Sequence, residues 1–536
     1  MSVGAVAGTL RPPQMSVRSV VGAATLTTRA VIGLTVLAAV LRFARIGHQS
    51  FWYDESFTVL LVHHSPSAML RLLPRTELTP PLYYLLAWAW ARIFGYGEVG
   101  LRSLSALAGV GTVPAIYGVA AKLVSRRAGL AAAAIACCSP LMIWYSQEAR
   151  SYALLMLLAT LSLLAFAHAR LPAPTPWRLG AWALAASATL ATHYYGVLAV
   201  LPQALWLCWT HRRDRRVLLA VAAVGALGLA LLPIALRQRP QASWIAPWRL
   251  DLRLAQIAPQ YLLGTGAPGR TWLELAGAAA LLLAATLLAR RADGRERRGA
   301  IVAGALAASG LLLSLALVLA GVDELITRNV IVVLIPLIVL VSSGLGARRA
   351  GRLGLAGVAI ICAVGLIASI GVAAEPNLQR PDWRALARAI GSDGATRVGR
   401  AILIQRYVFL KPLALDMPRL RFIRSRGELV NELDLVAIKA PADGWFCWWG
   451  SACNLLSSKL DTSIRVRGLY RDGPVLHVDQ FSILRLRSAA GVRLTPPAVL
   501  RAVARAPLRA GQPQPRDLPP GFGPPYRYVL LAQPPA

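Results

Sequence analysis

TPPLYYLLAWAWARIFG, residues 79–95, opens on two prolines, is rich in Trp and Tyr, and is shorter than the apolar runs around it. Whether it crosses a bilayer sets the side of the membrane on which every later loop falls. Runs long enough for a hydrocarbon core of about 30 Å occur near 29–46, 100–121, 128–144, 151–169, 178–193, 195–210, 217–236, 271–289, 300–320, 329–346 and 354–374, eleven without 79–95. Lys and Arg collect in short cytoplasmic loops. With 79–95 not spanning, KLVSRR (122–127), Arg170 to Arg178, HRRDRR (211–216), RRADGRERR (290–298) and ARRAGR (347–352) all share the N-terminal side with Arg11 and Arg18. A spanning 79–95 would move all of them across the membrane. The stretch is therefore expected to lie flat at the outer interface, where Trp88, Trp90, Tyr83 and Tyr84 suit the headgroup region.

The composition agrees with this class. The 536 residues are 56% hydrophobic and 15% charged, with a mean hydropathy of +0.54, which excludes an ordinary soluble domain. The formal charge of +33 does not indicate nucleic acid, because the Arg residues sit in gaps between apolar runs. Residues 1–28 read as a cytoplasmic tail and not a removed signal peptide. Cys137, Cys138, Cys208 and Cys362 fall in apolar runs, where a thiol packs as a small hydrophobe. Cys447 and Cys453, in WFCWWGSACN (445–454), are expected to close a disulfide if that region is extracytoplasmic.

The carboxylates are one-sided. The inner loops hold Asp214, Asp293 and Glu296; the outer face receives Asp54, Glu55, Glu77, Glu98, Glu148, Asp251, Asp323, Glu324 and Glu375. Arg42 and Arg45 depart from the charge rule and are candidates for anion contact. FWYDESFT (51–58) sets two acids side by side. Neighbours in a helix point about 100° apart, so Asp54 and Glu55 must do different jobs. One is expected to be a general base and the other to be held by an Arg; the plain alternative is a solvated acid pair.

Other segments on that face weigh against the plain alternative. WYSQEARSYALL (144–155) puts Glu148, Arg150 and Tyr152 at a span boundary, where charges line a cavity or pair with one another. GLRSLSALAG (100–109) puts Arg102 at the start of a span, and a guanidinium there suits a phosphate. THYYG (192–196) supplies His193, read as either a packed residue or a ligand, and DELITRN (323–329) supplies Asp323, Glu324 and Arg328. Together they describe a site for a lipid-linked anion. The absence of GxxxxGK[ST] and HExxH disfavours a nucleotide-driven pump and that class of zinc peptidase.

FWYDES, TPPLYYLL, GLRSLSALAG, WYSQEARSYALL and THYYG, in this order over residues 30–350, resemble the signatures of bacterial GT-C glycosyltransferases of family 39. These are related to protein O-mannosyltransferases and to the lipid A aminoarabinose transferase. The resemblance implies an all-α polytopic fold and a polyprenyl-phosphate sugar donor, mannose-like, with inverting transfer to an acceptor outside the cytoplasm. It implies catalytic roles for Asp54 and Glu55. Substrate binding would fall to Arg102, Glu148, Arg150, Tyr152, His193, Arg328 and Tyr83. Thr79 stands where the family often has His. Neither a cofactor nor a metal is expected.

The expected architecture is thus an N-terminal tail (1–28), a transmembrane catalytic domain with about eleven spans (29–376), and a small extracytoplasmic α/β domain (377–487). A Pro/Gly-rich tail follows (488–536), with GQPQPRDLPPGFGPP at 511–525. In the α/β domain, RPDWRALARAIG (380–391) reads as a helix and AILIQ (401–405), DLVAIKAP (434–441) and FSILRLR (481–487) as strands. The partners are a polyprenyl-phosphate sugar, the bilayer of the cell membrane, and a glycan, lipid or protein acceptor; nucleic acid is not expected. A lipid-linked sugar flippase, which would carry charge deep within its spans, and a passive membrane anchor are the competing readings.

Overall fold

The computed structural model describes residues 17–242, 244–246, 248–391, 398–438, 459–460, 464–507 and 528–535. Cys447, Cys453 and residues 511–525 lie outside them. The helices are α1 (Val17–Phe43), α2 (Tyr53–Val62), α3 (Pro66–Thr76), α4 (Leu82–Phe94), α5 (Glu98–Leu123), α6 (Arg126–Cys138), α7 (Pro140–Ser146), α8 (Tyr152–Ala169) and α9 (Pro176–Thr192). Then come α10 (Val197–Thr210), α11 (Arg215–Gln238), α12 (Leu250–Ala255), α13 (Ile257–Leu263), α14 (Arg270–Arg291), α15 (Gly294–Leu319), α16 (Leu334–Leu345) and α17 (Gly351–Ala374).

Every apolar run read from the sequence is helical, but they are not equivalent. Among the described residues, seven helices are long and apolar enough to cross a membrane, and a bent pair would make an eighth. The expected span at 128–144 is that pair: α6 and α7 meet at 58°. Pro140 explains the break, since it has no amide to donate and drives Ser139 out of helical conformation. α9 and α10, with 17 and 14 residues, are shorter, and the run at 329–346 divides into a 3-10 turn (Ile331–Val333) and α16. α1 begins at Val17, so the expected tail of 28 residues is partly helix.

The carbonyls freed at the α6–α7 break need donors. Arg42, fully buried, supplies them: its Nη1 donates to Cys137 O at 3.2 Å and its Nη2 to Ala136 O at 3.0 Å. Arg45 donates to Ala373 O at 2.8 Å. Both arginines expected to contact an anion thus donate to backbone carbonyls, Arg42 from a buried position. α5 passes close to the same break, and a Cβ at Gly109 would collide with Ser146 Oγ.

α4 has 13 residues, about 20 Å at 1.5 Å per residue, too short for a span. Tyr83 and Tyr84 are fully buried against the neighbouring helices, not held at an interface. Three of the basic loops, 122–127, 290–298 and 347–352, meet at one end of the bundle. Arg127 Nη1 donates to Arg348 O at 2.9 Å, and the Arg348 amide to Glu296 Oε1 at 2.9 Å. α5 starts at Glu98 and Arg102 and runs to that end at Leu123, and α15 runs from it toward Asp323 to Arg328, so the acidic segments gather at the opposite end.

After α17 the chain forms α18 (Trp383–Ile390), α19 (Arg406–Asp416), α20 (Pro496–Arg505) and strands β1 (Arg400–Gln405), β2 (Arg421–Phe422), β3 (Glu428–Ile438), β4 (Tyr470–Arg471), β5 (Leu476–Val478), β6 (Phe481–Leu494) and β7 (Tyr528–Gln533). The sheet order is β2-β7-β1-β3-β6-β4, with β5 also on β6. β1 and β3 are parallel, and the other pairs antiparallel. The expected boundary at 487 is overturned. β6 continues to Leu494, α20 packs on the sheet through Val499 and Val503, and β7 lies inside the sheet beside β1. YVLLAQ is a short apolar run that buries five of its six residues, which a terminal tail would not do.

Candidate active site at the acidic end of the bundle

α2 opens directly after the loop that follows α1. The Trp52 amide donates to Glu55 Oε2 at 3.2 Å and the Ser56 amide to Trp52 O at 3.0 Å, which fixes the first turn. The helix then turns its adjacent acids to different surroundings. Glu55 is fully buried, while Asp54 keeps 12% of its side chain exposed.

Glu55 is locked from three directions. Arg102 grips it with Nε to Oε1 at 2.7 Å and Nη2 to Oε2 at 2.6 Å, and the Ala149 amide adds a bond to Oε1 at 2.8 Å. Burial pushes this carboxyl up, but Arg102 outweighs it and the net displacement is downward. The remaining Arg102 donors go to the carbonyls of Ile46, Gln49 and Ser50 at 2.7–3.0 Å. All five guanidinium donors are thus used. Arg102 has none left for a phosphate, so that expectation is corrected; Glu55 is the acid of the pair that an Arg holds, as expected, and it fastens the loop to α5, which corrects the catalytic role expected for it.

Asp54 is the acid that stays reachable. Arg328 Nη1 meets its Oδ2 at 2.7 Å. The Arg328 guanidinium carbon stands 5.5 Å from the Trp244 ring centroid and 6.0 Å from that of Tyr152. Tyr152 stacks in turn near His193, 5.6 Å between centroids. His193 Nδ1 accepts the Tyr195 amide at 3.2 Å, so a neutral ring carries its proton on Nε2. Asp54, Arg328, Tyr152 and His193 are therefore brought together as expected, from segments nearly 300 residues apart.

Arg150 also reaches this place, though not through the neighbour its motif suggests. Its Nη1 donates to Glu77 Oε1 at 2.7 Å and to Asp54 O at 3.1 Å. Its Nε, buried, has no hydrogen-bond partner among the described residues. Glu77 is buried and its carboxyl is raised by that burial against the pull of Arg150. Tyr83 is the outlier of the expected set. Its hydroxyl is hydrogen-bonded to Ser105 at 3.2 Å and its ring packs edge-on against Tyr84, inside the protein. Thr79, in place of the family's His, bonds Tyr84 at 3.0 Å. Asp323 belongs to a separate bidentate pair with Arg253 at 2.7 and 2.8 Å.

The residue that sequence reading missed is Arg380, just ahead of α18. It pairs with buried Glu148 at 3.2 Å, donates to Gln147 O at 3.3 Å, and its guanidinium carbon lies 4.1 Å from the Trp144 ring centroid. Trp52 Nε1 donates to the other Glu148 oxygen at 3.1 Å. The C-terminal domain is thereby tied to the loop that positions Asp54. Ser50 reinforces the tie, its hydroxyl accepting the Trp383 amide at 2.8 Å. Nothing in RPDW marks this Arg; only its position after the last apolar run could have flagged it.

Burial raises Glu148 from 4.5 to about 7, with Arg380 opposing. The folded state then holds a proton that the unfolded state has released between pH 4.5 and 7, so stability falls as pH rises through that window. Thermal unfolding in detergent is expected to show a lower midpoint at pH 8 than at pH 5, with the Glu148 contribution absent in Glu148→Gln. An equal pH dependence in both proteins would contradict the assignment.

With the geometry described, its relatives can be set beside it. Residues 79–237 match the family model for dolichyl-phosphate-mannose-protein mannosyltransferase. Comparison with curated proteins returns no match. Among solved structures, ArnT from Cupriavidus metallidurans bound to undecaprenyl phosphate is similar at 12% identity, over 85% of this chain and 97% of that one, with a TM-score of 0.47. The Saccharomyces cerevisiae protein O-mannosyltransferase Pmt1–Pmt2 complex bound to the sugar donor is similar at 17% identity, over 39% of this chain and 32% of that one, TM-score 0.31. The Archaeoglobus fulgidus oligosaccharyltransferase in complex with Zn and sulfate is similar at 12% identity, over 67% and 55%, TM-score 0.40. This chain thus spans about a third of the yeast chain it matches and about half of the archaeal one. The GT-C glycosyltransferase resemblance read from the motifs is borne out. The family model bears directly on TPPLYYLL, GLRSLSALAG, WYSQEARSYALL and THYYG, which all fall within it, and the family it describes transfers sugars.

Proposed function

We propose that this protein transfers a mannose-like sugar from a polyprenyl-phosphate donor to an acceptor on the extracytoplasmic side of the cell membrane. Asp54 carries the reading. It is the acid of the cluster that keeps exposed surface, while Glu55, Glu77 and Glu148 are buried and held by Arg102, Arg150 and Arg380. The charge rule supports that side: with the basic loops in the cytoplasm, this end of the bundle and the C-terminal domain lie outside.

In the reaction, the Asp54 carboxylate takes the proton of an acceptor hydroxyl as its oxygen attacks the anomeric carbon. The bond from that carbon to the phosphate oxygen breaks, and the electron pair leaves on the polyprenyl phosphate. That group departs already charged, so it needs cations more than a proton, and Arg328 and Arg150 stand beside Asp54 to supply them. Attack opposite the leaving group inverts the anomeric configuration. A flippase would require charge along its spans; Arg42, a buried charge within α1, is engaged by backbone carbonyls.

The donor class is tested in proteoliposomes with radiolabelled polyprenyl-phosphate mannose beside the corresponding nucleotide sugar. Release from the lipid donor alone is expected. Release from the nucleotide sugar alone would overturn the reading.

A further inference from the structure

The C-terminal domain touches α2 itself. Leu415 of α19 packs into the apolar cluster formed by Phe51, Val59 and Tyr84, and Lys411, one turn earlier on the same face, comes with it. The Lys411 ammonium lies 3.3 Å from the Phe57 ring centroid. Phe57 follows Asp54 by three positions on α2, so the ring that carries the cation stands on the same face of the helix as Asp54.

Its electrostatic setting is unusual for a lysine. Among the described residues no carboxylate pairs with it at salt-bridge distance, although its ammonium is half-buried. Burial lowers it, and the acid that pulls it back is Glu77, the partner of Arg150. Among the described charges here, Glu77 stands with both Arg150 and Lys411, Arg328 pairs with Asp54, and Glu148 and Glu55 are matched by Arg380 and Arg102. One positive charge is unmatched, and the group in surplus is the one resting on an aromatic ring, which desolvates it without neutralising it.

We infer that Lys411 is an oxyanion-binding residue of this site, contributed by the C-terminal domain and completing it for a phosphate-bearing or carboxylate-bearing substrate. The inference rests on the transferase reading for the identity of that substrate. Two sources share the chemistry, the phosphate of the lipid donor and an acidic group on the acceptor.

The test is binding by the full-length protein in nanodiscs, which does not depend on turnover. Sugar-free polyprenyl phosphate is titrated by tryptophan fluorescence, and inorganic phosphate is titrated separately. Lys411→Gln is expected to weaken binding of the lipid phosphate roughly tenfold, the scale of one charge-assisted hydrogen bond, and Lys411→Arg to restore it. Phe57→Leu, which removes the ring and keeps the ammonium, reports the packing contribution and is expected to change binding less than Lys411→Gln. Weakened binding of inorganic phosphate with the lipid phosphate unaffected would also support an oxyanion site, with the acceptor as its source. Unchanged binding of both probes in folded Lys411→Gln would overturn the inference. A wild type that binds lipid phosphate but transfers no sugar would instead overturn the transferase reading.

Discussion

Arg102→Ala is expected to destabilise the protein by on the order of 3–5 kcal/mol, the cost of leaving one partner of a buried ion pair alone. Glu55 would stay inside, fully buried, with an amide bond from Ala149 and one from Trp52 as its remaining described partners. The carbonyls of Ile46, Gln49 and Ser50 would lose their donor as well. Arg102→Lys keeps the charge but not the planar fork that serves five acceptors, so it is expected to recover little. Thermal unfolding in detergent measures both. A midpoint close to wild type for Arg102→Ala would mean that the loop before α2 is held by something else.

Asp54→Asn is expected to act in the opposite way, sparing the fold and lowering transfer by about 10²- to 10⁴-fold, the range for loss of a positioned general base. The amide keeps an oxygen for Arg328 at the same place, where the two side chains now meet at 2.7 Å. What it cannot do is accept the acceptor's proton. The two substitutions therefore separate neighbouring acids, one proposed as the base and the other a fastening.

That division was legible in FWYDES, because the helical period alone sends residues 54 and 55 to different surroundings. The helical runs were also legible, as was the failure of residues 79–95 to span, since charge placement and length both speak through local sequence. Pairing was not. Arg150 was read beside Glu148 because they are two residues apart, yet it bonds Glu77, and Glu148 finds Arg380 more than 200 residues away. Spacing along a chain carries no information about which cation folding brings to a buried acid. Arg102 shows the same limit: a guanidinium at the start of a span suits phosphate, and only the structure shows that its five donors are taken up by the loop. The C-terminal boundary was placed too early for a different reason. YVLLAQ follows a long Pro-rich stretch, and a strand that pairs between two others is specified by those neighbours more than by its own six residues.

Asp54 is the residue on which the proposed transfer depends. Sugar release from radiolabelled polyprenyl-phosphate mannose in proteoliposomes should be measured for wild type, for Asp54→Asn, and for Asp251→Asn, an exposed acid paired with Arg249. Loss of release in Asp54→Asn alone, with the protein inserted and folded, is the predicted result. Equal release from all three would show that Asp54 is a solvated acid and that the base lies elsewhere.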